Sequence, residues 1–297
     1  MPVFIGLDIG GTKLLVASAD QDRKILRRVQ RPTPLNLQAG LMMLFAMIRE
    51  AALGDAITAI GAAVGGPLDY LQGIVSPLHQ PEWRNVPLKR VIEEEFRVPF
   101  AVDVDTNAAA LGEYRLANAI SPTSSETSLR NLVYITVSTG MGGGYVIDGV
   151  LYRGWNGAHP EIGHQTIPYR TDFAAQPISY PVICECGAEG CLEALVSGKG
   201  IRRLYGKFAE DLSTEQWAEV GSNLGLGLRN IAALYAPQEI VLGGGVAVGG
   251  GERLLGPARR TMADNLRLVP VPEVHLSRLG YDTALYGAIA LAMTVAE

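Results

Sequence analysis

Cysteine and histidine are scarce in this chain, with three of the first and four of the second among 297 residues. So few cysteines give no disulfide framework, which fits a reducing compartment. Basic residues are outnumbered by acidic ones, 25 against 30, and the net charge of −5 argues against a nucleic-acid or anionic-membrane surface. No apolar run is long enough to span a bilayer. At the start, P-V-F-I-G-L-D-I-G meets a charge at Asp8 before the apolar core of a signal peptide can form. A cytoplasmic protein is expected. Glycine, by contrast, is plentiful at 35, as in an α/β enzyme with many tight turns. The length suits two domains with a large buried core.

The pattern of apolar runs supports that class. V-F-I-G-L-D (3–8) and L-L-V-A (14–17) flank a glycine elbow and predict a hairpin. Residues 36–53 have helical length and period, and I-T-A-I-G-A-A-V (57–64) reads as a buried strand ending at G-G-P. Residues 87–96 predict a helix opened by proline. The strand 98–105 then runs into a helix over 106–117, which places Asp105 at a strand's carboxyl end, where open α/β sheets gather ligands. The polar stretch 121–128 predicts a loop and a domain boundary. Strands 131–138 and 143–147 repeat the strand–glycine–strand unit. S-T-E-Q (213–216) reads as a capping box for a helix to Tyr235, 239–246 as a strand stopping in glycines, and 282–296 as an apolar closing helix.

All three cysteines fall in C-E-C-G-A-E-G-C (184–191). A disulfide leaves one thiol over and strains a C-x-C bridge. Small buried hydrophobes are a second reading. The third is a metal knuckle, in which Cys184, Cys186 and Cys191 are gathered by a glycine turn, one ligand short of a tetrahedral zinc site. Among the histidines, His79, His159 and His275 lie in unremarkable settings, while His164 ends G-A-H-P-E-I-G-H.

Three glycine turns follow strands, at D-I-G-G-T (8–12), T-G-M-G-G-G (139–144) and L-G-G-G-V (242–246). Glycine lets backbone N–H groups approach an anion closely. None is a P-loop or a dinucleotide fingerprint. Asp8 is either a turn cap or a carboxylate for Mg²⁺ beside phosphates.

Taken in order, D-I-G-G-T-K (8–13), V-G-G-P-L-D (64–69), D-V-D-T-N-A-A-A-L-G-E (103–113), S-T-G-M-G-G-G-Y-V-I-D-G-V-L-Y-R-G (138–154), P-E-I-G-H (160–164), C-x-C-G-x-x-G-C-L-E (184–193) and I-V-L-G-G-G-V (240–246) resemble the ROK family of sugar kinases. The resemblance implies an α/β, actin-like ATPase (ribonuclease H-like) fold of two lobes around a cleft. The expected lobes are residues 1–118, with 283–297 returning to them, and residues 119–282, carrying the knuckle. It implies ATP-dependent phosphorylation of a hexose hydroxyl, most simply the 6-hydroxyl of glucose, with fructose, mannose or an N-acetylhexosamine as alternatives. Asp105 matches the general base. Gly66, Glu161, His164 and Glu193 match residues at the sugar. Asp8, Gly10, Gly11 and Thr12 match the first phosphate loop, Thr139 and Gly140 the second, and Gly244 and Gly245 the nucleotide contact. The implied cofactors are ATP, Mg²⁺ and a structural zinc on His164, Cys184, Cys186 and Cys191, and the implied assembly is a homodimer or homotetramer.

One position departs from the family pattern. Relatives usually carry asparagine where Val104 precedes Asp105, so discrimination at one sugar hydroxyl is expected to change. The family's sugar-sensing repressors carry a helix-turn-helix ahead of D-x-G-G-T, whereas the first strand here starts at Val3, and the charge is acidic. An actin-like structural ATPase would leave the cysteine knuckle and E-I-G-H unexplained.

Overall fold

A computed structural model describes residues 1–78, 80–120, 129–175 and 181–296. The expected loop at 121–128 and the residue His79 lie outside them. The chain opens with β1 (Pro2–Ile9), β2 (Lys13–Ala19), β3 (Ile25–Pro32), α1 (Leu37–Ala52) and β4 (Ala56–Val64). Short strands β5 (Leu68–Asp69), β6 (Ile74–Val75) and β7 (Val86–Pro87) lead to α2 (Leu88–Phe96), β8 (Phe100–Val104) and α3 (Asp105–Ile120). Next come β9 (Leu132–Val137), β10 (Met141–Ile147), β11 (Val150–Leu151), α4 (Glu193–Val196), α5 (Gly198–Tyr205) and α6 (Thr214–Tyr235). The chain closes with β12 (Glu239–Gly243), α7 (Gly245–Gly250), α8 (Glu252–Asn265), β13 (Glu273–Leu276) and α9 (Thr283–Ala296). No helix among the described residues is long and apolar enough to cross a membrane.

These elements form two units. The first comprises Met1–Glu126, Arg153–Ala158 and Asp282–Glu297, and the second Thr127–Tyr152 and His159–Tyr281. The linear division of the sequence had not singled out the short strap Arg153–Ala158.

In the first unit the sheet runs β3-β2-β1-β4-β8. The β1–β2 and β2–β3 pairs are antiparallel, while β1–β4 and β4–β8 are parallel. Register aligns Asp8 with Ala63, and Ala63 with Asp103. The carboxyl ends of β1, β4 and β8 therefore finish level, and the Asp8, Gly66 and Asp105 segments all leave the sheet on that edge. Helix α1 buries Gly40, Leu44, Met47, Ile48 and Ala51, the three-four spacing of one helical face, and Asn36 caps it by accepting from Ala39 N–H at 3.0 Å. The second unit repeats the plan as β11-β10-β9-β12-β13, with a glycine hairpin on one side and parallel strands on the other. Its long helix α6 carries the expected capping box between Ser213 and Gln216.

The elements that the sequence reading missed have charged or interrupted patterns. Strand β3, I-L-R-R-V-Q-R-P, lies on the sheet edge, where arginines reach water. Helix α8 holds Pro257 in its interior.

Close backbone approach fixes where α9 sits in the first unit. A Cβ on Gly61 of β4 would lie 2.0 Å from the Ala288 carbonyl oxygen, and one on Gly287 would lie 1.8 Å from that of Ala108 in α3. Neither contact leaves room for a methyl group, so helix, sheet and α3 pack at a spacing only glycine permits. Gly287→Ala is expected to cost about 2–3 kcal/mol, because the obstructing atoms are backbone and cannot rotate away. Denaturant unfolding checks this, and an unchanged midpoint would contradict it.

Candidate active site

On the level edge of the first sheet, β1 ends in Asp8 and turns through Gly10, Gly11 and Thr12 into β2. The turn is closed by Gly10 N–H donating to the Lys13 carbonyl at 3.0 Å. It is pinned from outside by the Thr33 hydroxyl, which donates to the Gly10 carbonyl at 2.6 Å. Asp8 is partly buried, and burial pushes its carboxyl up to about 6, with the Asp105 carboxylate adding to the rise and Lys13 opposing it. The two carboxylates thus feel one another across the sheet edge. After β4, Gly66 accepts from Leu78 N–H at 3.1 Å, which holds the loop beside the same edge.

The D-V-D segment resolves into three distinct environments. Asp103 is 2% exposed and accepts from Val104 N–H, from the Asn107 amide at 2.9 Å and from Arg153 Nε at 3.0 Å, with Arg153 Nη2 on the same oxygen. Val104 is 5% exposed and packs as a core residue at the end of β8 rather than standing clear of it. Asp105 is exposed and is the first residue of α3, its Oδ1 accepting from Thr106 N–H at 2.7 Å. The expected strand end is therefore a helix start, where the peptide dipoles favour a negative charge.

In the second unit, the loop at Thr139 and Gly140 joins β9 to β10. Gly198 N–H donates to the Ser138 carbonyl at 2.7 Å, and Lys199 N–H to the Thr139 carbonyl at 3.1 Å, so the start of α5 fixes this turn. Glu193 Oε2 accepts from Met141 N–H at 2.8 Å, tying the residue after the cysteines to the glycine hairpin. That tie joins residues 52 apart and has no sequence signature. Gly244 has φ +88°, and a Cβ there would meet the Val137 carbonyl oxygen at 2.5 Å. Glycine is required on both counts. Gly245 opens α7 with no atom within 4 Å of its Cβ position.

Glu161 and His164 share one 3₁₀ turn, His164 N–H donating to the Glu161 carbonyl at 3.0 Å. Glu161 is exposed, and His159, which had looked unremarkable, sits 3.4 Å from it through Nε2. His275 instead pairs with Glu239 at 3.2 Å beside the β12–β13 ladder, where it is a packing group.

His164, Cys184, Cys186 and Cys191 come together, each offering a ligand atom, all within 4.8 Å of one another. Cys184 Sγ lies 3.7 Å from His164 Nδ1, and Cys186 Sγ lies 3.7 Å from Cys191 Sγ. Donors on one tetrahedral zinc, with Zn–S about 2.3 Å and Zn–N about 2.0–2.1 Å, stand roughly 3.5–3.8 Å apart. The donor set and spacing fit that ion. The three cysteines are free thiols, which removes the disulfide reading.

Asp8 yields a test of the site's electrostatics. Its folded pKa of about 6 exceeds the ordinary 3.8, so the folded state holds the proton more tightly and loses stability as pH rises between those values. Asp8→Asn removes this cost. In metal-free buffer the variant is expected to be more stable than the parent by up to about 3 kcal/mol at pH 8, with the gap closing below about pH 4. A pH-independent difference would contradict the burial of this charge.

The ROK family model matches residues 4–295. The chain is 28% identical to a glucokinase of Streptomyces coelicolor across 98% of each chain, and 31% identical to a fructokinase of Zymomonas mobilis across 96% of this chain and 94% of that protein. Among solved structures, a ROK family glucokinase from Streptomyces griseus in complex with glucose and AMPPNP superposes with a TM-score of 0.74 at 27% identity, covering 98% of this chain and 99% of that one. With matches along its whole length, this chain belongs to the ROK family and has the actin-like ATPase fold.

Proposed function

We propose that Asp105 is the general base of an ATP-dependent hexose kinase that phosphorylates the 6-hydroxyl of glucose or a related hexose. The chain is an ATP-dependent sugar kinase, as its glucokinase and fructokinase relatives indicate. The observation that carries the assignment is the contrast within D-V-D. Asp103 is buried and occupied by Arg153 and Asn107, whereas Asp105 is exposed at the start of α3. Phosphoryl transfer asks a protein for positioning, charge neutralisation and a carboxylate to take the hydroxyl proton. Asp105 takes that proton. Backbone N–H groups of the turns at Gly10–Thr12, Thr139–Gly140 and Gly244–Gly245 receive the nucleotide. Asp8 is the carboxylate placed to hold Mg²⁺, which when bound neutralises charge on the phosphates.

Glu161, His164 and Glu193 are the proposed ligands for sugar hydroxyls, joined by Gly66 from its loop. A structural zinc on His164 and the three cysteines orders their framework, since His164 shares the turn of Glu161 and Glu193 follows Cys191 within two residues. The fructokinase relative supports fructose as the second substrate to test. A coupled ADP-release assay over glucose, fructose, mannose and N-acetylhexosamines decides the sugar, and turnover with none of them would contradict the kinase reading.

Asp105→Asn is expected to leave ATP and sugar binding nearly unchanged while lowering kcat by about 100-fold or more. If Asp103→Asn is inactive and Asp105→Asn remains active, the roles are reversed. Metal analysis is expected to find one zinc per chain. Cys186→Ser should weaken zinc retention and raise the KM for sugar more than that for ATP. Stoichiometric absence of zinc from gently purified protein would remove the metal from the account.

A further inference from the structure

Arg153 stands out in the first unit because the proposed chemistry does not use it. It belongs to the strap Arg153–Ala158, and its guanidinium has two neighbours of very different character. On one side Nε and Nη2 both donate to Asp103 Oδ2, the Nε contact measuring 3.0 Å. On the other the guanidinium lies over the Tyr70 ring, 4.3 Å from its centroid. Gly157 of the same strap approaches the ring so closely that a Cβ there would meet it at 2.8 Å. The Asp103 side chain is 3% exposed and that of Arg153 21%, so the pair is only lightly screened by water.

Asp103 in turn grips the segment that carries the base. Its Oδ1 accepts from Val104 N–H at 2.8 Å and from the Asn107 amide at 2.9 Å, bracketing Asp105 on both sides along the chain. We propose that Arg153 is a positioning residue for phosphoryl transfer: held between Asp103 and the Tyr70 ring, it fixes the β8–α3 junction from which Asp105 acts. A planar guanidinium suits this role, since it can donate two bonds to one carboxylate oxygen while stacking on an aromatic face, which an ammonium cannot do. The inference rests on the reading of Asp105 as base. It requires no contact between Arg153 and any substrate.

The test uses the full-length protein with ATP, Mg²⁺ and its best sugar. Arg153→Met alone strands the buried Asp103 charge and threatens folding. The informative variant therefore combines Arg153→Met with Asp103→Asn, removing both charges together. It is expected to fold, as judged by circular dichroism, and to keep both KM values within about threefold of the parent. Its kcat should fall by about 10- to 100-fold, the scale of a misplaced catalytic group. Arg153→Lys, which keeps the charge but loses the fork and the stacking, should fall between. A folded double variant with the parent's kcat overturns the proposal, as does a loss shared equally by kcat and both KM values. Asp105→Asn measured alongside separates the two ideas. If it remains active, the base assignment fails, whereas an inactive Asp105→Asn beside a fully active double variant removes only the role of Arg153.

Discussion

A buried carboxylate has to be neutralised, and in this chain that requirement sorts the residues of the D-V-D segment. Asp103 is taken out of water and matched by Arg153 and by the Asn107 amide. An isolated charge there would cost far more than folding could spare. Two residues on, Asp105 is exposed at the start of α3, where it accepts from Thr106 N–H. The same sheet edge carries Asp8, whose pKa is raised by its own burial and further by the Asp105 carboxylate. One sheet edge thus holds three acids in different surroundings, Asp103 buried and paired, Asp8 partly buried and Asp105 exposed.

The two units solve the same problem with the same part. Each has a hairpin with a glycine turn on one side of a sheet and parallel strands on the other. Glycine serves two physical ends in them. At Gly61 and Gly287 it allows backbones to touch, which seats the closing helix on the first sheet. At Gly244 it supplies a positive φ that turns β12 into α7.

Much of this was legible in the sequence, for reasons of range. The hairpins, the capping box at Ser213 and the cysteine knuckle are written in residues a few positions apart, and the structure forms them where the spacing places them. The strand and the helix after it were legible, but Asp105, expected as the last residue of the strand, is the first of α3, because the sequence alternation of β8 continues into the first turn of the helix. Arg153 was not legible. It lies 50 residues from Asp103, near the end of the family-like segment 138–154, and only the folded first unit reveals that it pairs with the buried acid of β8. Val104, which stands where relatives usually carry asparagine, is buried at the end of β8.

The central claim is a single transfer of phosphate from ATP to a hexose hydroxyl, with the protein supplying a carboxylate base and a bed of backbone donors. Phosphorus NMR of the protein with ATP, Mg²⁺ and glucose or fructose tests it most directly. The account predicts one sugar 6-phosphate for every ADP formed, with little inorganic phosphate. Accumulation of inorganic phosphate without any sugar phosphate would contradict it.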